Sequence, residues 1–244
     1  MMAGIDPQFN LWLMKCVSLA SPAYKAKTFP WRNGPAWINA FSQLCPVLLA
    51  INWVMQGMRH MDLPELLFRL LLEWLVAVLL LAALLLAGLA ALPAVLLAAL
   101  AAHTASFTLN GQVWVCARYC RLFRGDAARL QHFADAAAAR LQALPWLDEA
   151  VIIGSWGVAG PGPRSDLDLR LVFPPGLAGW WRTNLLLLRL RAAAFLRGVP
   201  LDLYAYAGLD RLAACDPDEP MLLVVDRNGR LVRRFAERDL RAVP

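Results

Sequence analysis

The longest apolar pattern in the chain predicts a membrane-crossing region. No charged residue lies between Trp74 and Ala102, and residues 66–115 are apolar along most of their length. The ionisable residues in that range are Arg69, Glu73 and His103. A single membrane-crossing helix needs about 20 apolar residues, so this range is too long for one straight helix.

Gly88 and Pro93 lie near the middle of the apolar range. They predict a turn at residues 89–92 that divides the range into two antiparallel helices, because proline is tolerated near the start of a helix. The alternative is one long kinked or tilted helix, which would place its flanks on opposite sides of the membrane. We predict the hairpin because Lys and Arg flank both ends, and such flanks stay cytoplasmic. These basic residues are Lys15, Lys25, Lys27, Arg32, Arg59, Arg118, Arg121, Arg124 and Arg129.

Three polar residues, Glu73, His103 and Asn110, fall inside or near the predicted helices, where polar groups are costly unless they meet a partner or a cavity. With a turn at residues 89–92, Glu73 lies near the level of Thr108 and Asn110. We therefore predict hydrogen bonds across the hairpin. A lipid-substrate site on this polar face is the alternative.

Residues 1–60 are predicted to form an interfacial, amphipathic helical region. Their short apolar stretches are rich in tryptophan, which favours membrane interfaces, and are interrupted by prolines. The stretch 47–58 is short for a crossing, so it predicts an interfacial or re-entrant helix.

The pattern after the hairpin changes to that of a small α+β domain. Residues 126–145 are alanine-rich with apolar residues at helical spacing, and they predict an amphipathic connector helix capped by Asp126. Short apolar runs predict strands at residues 150–153, 167–173 and 201–206. Asn228-Gly229 predicts a hairpin that joins strands 221–225 and 231–235.

A crossover helix is predicted at residues 180–197, between the second and third strands. Its expected buried face consists of Trp181, Leu185, Leu188, Ala192 and Phe195. Its arginines are expected in solvent, with one or two able to reach a triphosphate or the membrane surface: Arg182, Arg189, Arg191 and Arg197.

These patterns together predict an α+β chain: a helical transmembrane hairpin region followed by a small mixed β-sheet domain with flanking helices. The predicted boundaries are 1–60 for the interfacial region, 61–125 for the transmembrane hairpin, 126–145 for the connector and 146–244 for the sheet domain.

Composition supports this division. The chain of 244 residues is 59% hydrophobic and only 17% charged, which is too apolar for an ordinary soluble domain. Its formal net charge of +6 would suit nucleic acid, but much of the surplus flanks the apolar range, where anionic lipid headgroups explain it. Nucleic acid is therefore not predicted as a partner. The five cysteines form no metal-type Cys-x-x-Cys pair, so reduced thiols are expected.

Residues 152–168 carry the candidate chemistry. An apolar strand leads into a glycine-rich turn, and the turn leads to Asp166 and Asp168, one residue apart. Alternate residues of a strand point to the same side, so both carboxylates can share a divalent metal ion. Gly154 and Ser155 lie where the strand ends, and free backbone N–H groups there would hold a phosphate.

This motif resembles that of the DNA polymerase beta-like nucleotidyltransferase superfamily, in particular its minimal single-domain members. Gly154-Ser155 is followed at the family's spacing by Ser165-Asp166-Leu167-Asp168, and Asp202 matches the third carboxylate on a later strand. The chain departs from the family at Trp156 and Gly157, where minimal members carry a small residue and an arginine.

The resemblance implies a two-metal site. Asp166, Asp168 and Asp202 would be catalytic and would bind two Mg²⁺ ions, with Mn²⁺ as a substitute. Gly154, Ser155 and Ser165 would bind the nucleotide.

The sequence therefore predicts a membrane-anchored nucleotidyltransferase in a bacterial-type inner membrane, with its catalytic domain cytoplasmic. It would transfer a nucleotide from ATP or another nucleoside triphosphate to a membrane-associated acceptor, such as a lipid-linked sugar or glycan precursor. The alternatives are a non-catalytic nucleotide-binding membrane adaptor and an enzyme that nucleotidylates a partner protein. A homo-oligomer is compatible with each of these.

Overall fold

The protein is described by a computed structural model that covers residues 44–58, 61–110, 112–118, 125–154, 161–162, 165–213, 215, 220–236 and 240–242. Ser155 and most of the predicted interfacial region 1–60 lie outside the described residues. The helices are α1 (Cys45–Met55), α2 (Leu63–Leu86), α3 (Ala91–Leu109), α4 (Gln112–Ala117), α5 (Ala127–Gln142), α6 (Gly176–Leu196), α7 (Leu209–Ala213) and α8 (Arg230–Arg234). The strands are β1 (Glu149–Ile153), β2 (Leu167–Val172), β3 (Leu201–Tyr206), β4 (Met221–Asp226) and β5 (Leu240–Ala242).

The predicted helical hairpin is present as α2 and α3. Gly88, with a φ of +85°, lies in the turn between them, so the turn begins slightly before residues 89–92. The two helices have 24 and 19 residues with mean hydropathies of 2.4 and 1.7, and are long and apolar enough to cross a membrane. Only 6% and 22% of their most apolar windows are buried, unlike the core helix of a soluble protein. With 11 residues, α1 is too short for a crossing.

The sheet domain has the predicted α+β character. Among the described residues the sheet has five strands in the order β3-β2-β1-β4-β5. Strand β1 is antiparallel to β2 and β4, whereas β2 pairs with β3 and β4 with β5 in parallel. Helices α5 and α6 cover one face and form the larger core with it. The mixed sheet with flanking helices is confirmed.

The predicted hairpin between residues 221–225 and 231–235 is wrong. The turn after β4 leads into the short helix α8 instead of a strand. The Asp226 carboxylate accepts hydrogen bonds from the backbone N–H groups of Leu231 and Val232 at 3.2 and 3.0 Å, which stabilises a helical start. The parallel partner of β4 is β5.

The connector helix is confirmed as α5, and the Asp126 carboxylate caps it by accepting from the Arg129 N–H at 3.1 Å. The crossover helix is also present as α6, but its predicted buried face is wrong. Trp181 and Leu185 are 48% and 42% exposed. The buried side includes the polar residues Thr183, Asn184 and Arg191, because α6 packs against α2 and α3 as well as the sheet.

One cysteine departs from the expected reduced state. Cys45, at the start of α1, is in a disulfide, whereas Cys116 and Cys215 are free thiols. The expectation of reduced thiols is therefore wrong at Cys45.

The outer edge of β3 is covered by charged side chains. The Ala205 N–H donates to Glu65 at 3.0 Å and the Ala207 N–H donates to Asp62 at 2.9 Å. Arg191 on α6 donates to the carbonyl of Leu203. The start of α2 thus satisfies backbone groups that an edge strand would otherwise leave unpaired.

Glu65 and Arg191 also bind each other. Their ion pair is 2.6 Å long, and the two residues are 0% and 2% exposed. Contrary to the expectation for solvated arginines, Arg191 is therefore buried. The apolar hairpin and the sheet are joined by a buried ion pair that also binds backbone.

We predict that Glu65→Ala destabilises the folded protein by about 3–5 kcal/mol, because it leaves the buried Arg191 guanidinium without its carboxylate partner and the Ala205 N–H without its acceptor. The measurement is denaturant unfolding of the full chain in detergent, followed by tryptophan fluorescence. Asp135→Ala is the control, since Asp135 is exposed and accepts from Gln131 within α5; it should change stability by less than about 0.5 kcal/mol. Equal effects of the two substitutions would contradict the structural role of Glu65.

Candidate functional site

Two of the predicted carboxylates lie side by side on the sheet. Strands β2 and β3 are parallel neighbours, and their register pairs Asp168 with Asp202. Paired positions on neighbouring strands point to the same face, so the two carboxylates share one side of the sheet. Residues 34 positions apart in the sequence are thereby brought together.

Asp166 lies immediately before β2, two residues from Asp168. Its carboxylate forms an ion pair with the guanidinium of Arg118, which follows α4. Ser165 shapes the loop before it, since its hydroxyl accepts from the Gly162 N–H at 2.8 Å and its N–H donates to the Gly162 carbonyl at 3.1 Å. The described contacts of Ser165 are thus within its own turn.

Gly154 ends β1 beside these carboxylates. Its φ is +105°, and a Cβ added to it would lie 3.7 Å from Oδ2 of Asp168. The glycine-rich turn and the Asp pair are therefore neighbours. The Gly154 N–H donates to the Pro220 carbonyl at 3.1 Å. The prediction of a free phosphate donor is therefore wrong for this N–H. Ser155 and Trp156 lie outside the described residues.

Arg170 is a member of this site that the sequence reasoning missed. One of its terminal nitrogens lies 2.8 Å from Oδ2 of Asp202 and 3.3 Å from Oδ1 of Asp168. The other donates to the carbonyls of Asp202 at 2.5 Å and Leu169 at 3.1 Å. The signal in the sequence was the spacing, because residue 170 follows Asp168 by two on the same strand face.

Burial alone would lower the pKa of Arg170, but the carboxylates of Asp202 and Asp168 more than offset this and raise the pKa well above its usual value. The guanidinium also lies 5.0 Å from the centre of the Tyr204 ring. Burial, together with Asp202, raises the pKa of Tyr204 well above its usual value. Arg170 is therefore a permanent cation and Tyr204 a neutral phenol at any physiological pH.

Helix α4 brings two further residues to the carboxylates. Arg118 reaches Asp166, and Cys116 is buried close enough to Asp202 and Arg118 for both charges to act on its thiol. Burial is the larger influence and raises the pKa of Cys116 from 9.0 to about 12. Sequence reasoning identified Arg118 only as part of the basic flank of the hairpin, and no spacing links it to Asp166.

The described residues include no group of three or more His, Cys, Asp or Glu side chains arranged to hold a metal ion. Arg170 binds both Asp168 and Asp202, and Arg118 binds Asp166. Carboxylate oxygens are the ligands that a hard divalent cation prefers. The two guanidinium groups nevertheless offset two of the three carboxylate charges, which leaves little negative charge for two divalent ions.

The carboxylate-bearing face of the sheet is the one directed towards the base of the hairpin. The side chains that share this face pack against Met58, Met61 and Leu66 from the start of α2 and the segment before it. The Tyr204 hydroxyl donates to the Gly57 carbonyl at 3.3 Å. The candidate site therefore lies on the hairpin side of the domain, opposite α5 and the larger core.

A second polar cluster lies within the hairpin. Nδ1 of His103 is 2.7 Å from Glu73 and 2.9 Å from the side-chain amide of Gln56, while Nε2 lies 2.9 Å from the Trp53 carbonyl. Glu73 does bond across the hairpin, but its partner there is His103 and not the predicted Thr108 or Asn110. Thr108 bonds to Thr104, and Asn110 to Ser106.

The surface of the hairpin also carries a groove of about 520 Å³. Its lining is apolar except for Glu73, and consists of Leu67, Leu70, Leu71, Glu73, Trp74, Ala77, Ala99 and Ala102. The groove and the polar cluster thus meet at Glu73.

No family model matches the chain, and no curated protein or solved structure is significantly similar to it. The functional argument therefore rests on the residues themselves and on their geometry.

We predict that the Cys116 thiol reacts with iodoacetamide at pH 8 about a hundredfold or more slowly than the Cys215 thiol. Only the thiolate reacts, and burial keeps Cys116 protonated. The sign follows from the raised pKa of about 12: the thiolate fraction of Cys116 stays small up to that pH. Quantitative mass spectrometry of the alkylated peptides measures both rates. The unfolded protein should lose the difference, and equal rates in the native protein would contradict the buried position of Cys116 beside the carboxylates.

Proposed function

We propose that the protein is a membrane-anchored, metal-dependent nucleotidyltransferase that acts on a membrane-associated acceptor. The observation that carries the proposal is the juxtaposition of Asp168 and Asp202 at paired positions of β2 and β3, with Asp166 two residues earlier and Gly154 against Asp168. This arrangement agrees with the resemblance of the motif to DNA polymerase beta-like nucleotidyltransferases.

Asp166, Asp168 and Asp202 would hold two Mg²⁺ ions. When bound, these ions would neutralise the triphosphate and stabilise charge on the attacking and leaving oxygens. Arg170 keeps Asp168 and Asp202 in place through contacts to their carboxylates. The φ of +105° at Gly154 favours glycine beside Asp168, and a Cβ there would lie in ordinary contact with Oδ2 at 3.7 Å.

The proposed reaction is an in-line displacement at the α-phosphorus. The acceptor hydroxyl oxygen forms the new P–O bond, the bond to the β-phosphate oxygen breaks, and pyrophosphate leaves with that electron pair. Asp202 orients the hydroxyl and receives its proton, which then passes to water. Gly154, Ser155 and Ser165 are proposed to line the phosphate side of the site.

The position of the site favours an acceptor held in or at the membrane. The carboxylates occupy the sheet face towards Met61 and Leu66, at the base of the hairpin. An acceptor in the same plane as the anchor has a raised effective concentration at the site. A lipid-linked sugar or glycan precursor has both the hydroxyl and the apolar tail that this position requires. The groove beside Glu73 would hold such a tail.

The second candidate is a non-catalytic nucleotide-binding membrane adaptor. It is favoured by the ion pairs of Arg118 and Arg170, which bind all three carboxylates. A protein in which these pairs persisted would not bind two metal ions. Nucleotidylation of a partner protein is the third candidate, and it would use the same carboxylates.

We predict that the purified full chain, incubated with membrane extract, Mg²⁺ and α-labelled nucleoside triphosphates, transfers label to an organic-extractable product. Asp168→Asn should lower this rate by at least about a hundredfold, because metal-held phosphoryl transfer depends on the carboxylate charge. The matched control is Asp135→Asn, which removes an equal charge from the exposed face of α5. Label on polypeptide would favour the third candidate. Absence of metal-dependent transfer with all four nucleotides would leave the adaptor.

The proposed placement has two membrane crossings and the catalytic domain on the cytoplasmic side. Lys and Arg on both flanks of the hairpin favour that side. The disulfide of Cys45 favours the opposite side, because disulfides persist mainly in oxidising compartments. Each of the two possible orientations of the sheet domain is therefore supported by one observation.

We predict that a cysteine introduced at exposed Arg189, in a background with all five native cysteines replaced by Ser, is protected from a membrane-impermeant maleimide in intact cells and labelled after lysis. A cysteine introduced at Leu89, in the hairpin turn, should show the reverse pattern. The reagent should label it from outside in intact cells. Gel shifts with a maleimide polymer measure both. Labelling of the Arg189 site in intact cells would place the sheet domain outside the cytoplasm.

A further inference from the structure

We propose that the exposed side of α6 is a membrane-binding surface that lies against anionic lipid headgroups beside the hairpin. This inference rests on the membrane anchoring in the proposed function, and it gives the sheet domain its own contact with the bilayer. The residues of this α6 surface are apolar next to the hairpin and basic farther from it. They are Leu177, Trp181, Arg182, Leu185 and Arg189.

Helix α6 crosses the base of the hairpin. Near its start, the indole N–H of Trp180 donates to the Pro64 carbonyl at 2.8 Å, where α2 begins. Near its end, the Phe195 carbonyl accepts from the indole N–H of Trp114 at 2.9 Å, on α4 shortly after α3. Trp180 and Phe195 are about 22 Å apart along the helix, at 1.5 Å per residue. Both ends of α6 are therefore fixed to the same end of the hairpin.

The length of α2 places this base at the edge of the hydrocarbon. The helix ends at Leu86, beside the turn. A hydrocarbon core of about 30 Å takes up about 20 helical residues, so a crossing that starts at the turn reaches the opposite boundary near Leu67. The Phe68 ring is at this level and contacts the Trp181 ring edge-on, with centroids 5.6 Å apart. The start of α6 is therefore level with the headgroups.

The apolar residues of the α6 surface are exposed although α6 packs on the sheet. Leu177, Trp181 and Leu185 are 71%, 48% and 42% exposed. With 3.6 residues per turn, they lie between the side of α6 that binds the hairpin through Arg191 and the side that carries Arg189. Exposed apolar side chains grouped on one face mark an interaction site, and tryptophan favours the membrane interface. They therefore continue the exposed apolar surface of the hairpin.

Charge favours anionic lipid as the partner of this surface. Arg182 and Arg189 are exposed, and within the described part of the chain neither forms an ion pair or a hydrogen bond. An interfacial helix has this arrangement, because its apolar groups reach about 5–10 Å into the acyl boundary while its basic groups stay among the headgroups. A second copy of the chain, docked symmetrically on the same face, would bring like charges together. A lipid surface therefore fits better than a second copy.

The test measures membrane depth on the full chain in nanodiscs, with all five native cysteines replaced by Ser and one spin label at a time. Leu177→Cys and Leu185→Cys carry the label on the α6 surface. Leu79→Cys, exposed in the middle of α2, is the hydrocarbon reference, and Asp135→Cys on the exposed side of α5 is the water reference. Collision rates are measured with oxygen, which concentrates in hydrocarbon, and with a water-soluble nickel complex. We expect the oxygen-to-nickel ratio at both α6 sites to exceed that at Asp135 by about fivefold or more.

The outcomes separate this inference from the proposed function. A Leu79 label that is open to nickel would place the hairpin outside the bilayer, so the anchored function and this inference would fail together. If the Leu79 label reports hydrocarbon and both α6 labels match Asp135, the α6 surface lies in water. The inference is then refuted while the anchored function stands. Labels on α6 that are shielded from both reagents would mean that protein, such as a second copy, covers this surface, which also refutes the inference.

The role of the arginines is tested through lipid preference. A fluorophore on Leu185→Cys is quenched by spin-labelled phosphatidylglycerol or by spin-labelled phosphatidylcholine in otherwise equal nanodiscs. We expect the anionic lipid to be preferred about five- to tenfold near this site, and the double variant Arg182→Gln, Arg189→Gln to lose the preference. Arg140→Gln removes an exposed arginine from α5 and is the matched control, which should keep the preference. Equal quenching by the two lipids without the arginine substitutions would refute the headgroup contact.

Discussion

The buried ion pair of Glu65 and Arg191 is the interaction on which the arrangement of this protein depends. By composition, the apolar hairpin suits hydrocarbon and the surface of the small mixed-sheet domain suits water. The two parts therefore have no surfaces of the same kind to pack together. Glu65 joins the two parts, because its carboxylate binds both the outer edge of β3 and the Arg191 guanidinium of α6. Buried charges are costly unless they are paired and hydrogen-bonded, and here both conditions are met. The edge strand is thereby closed by a helix of the apolar hairpin instead of by a further strand.

The location of the candidate site follows from that junction. Since β3 is fixed to the start of α2, its neighbour β2 and the paired Asp168 and Asp202 face the base of the hairpin. The short helix α4 continues from α3 on the same side and carries Arg118 to Asp166. A soluble domain joined by a flexible linker would leave its carboxylates in any orientation relative to a membrane. In this chain the orientation relative to the apolar hairpin is part of the fold, and this supports the proposed acceptor at the membrane.

Sequence reasoning succeeded where a pattern acts locally. Apolar length and Gly88 predict the hairpin, Asp126 predicts the cap of α5, and short apolar runs predict β1, β2 and β3. It failed where a distant partner decides. Asn228-Gly229 is a strong hairpin signal, yet the Asp226 carboxylate caps a helix there. The local sequence predicts a solvated Arg191, because its partner Glu65 is distant in the sequence. Tertiary packing brings the two residues together.

The same distinction explains why the site itself was only half predictable. The carboxylates follow from a motif with fixed spacing, and their strand register brings Asp202 to Asp168 without further assumptions. The arginines have no such spacing, because their positions are set by where α4 and β2 pack. Yet they determine the electrostatics, because the two guanidinium groups pair with the three carboxylates and offset most of their negative charge.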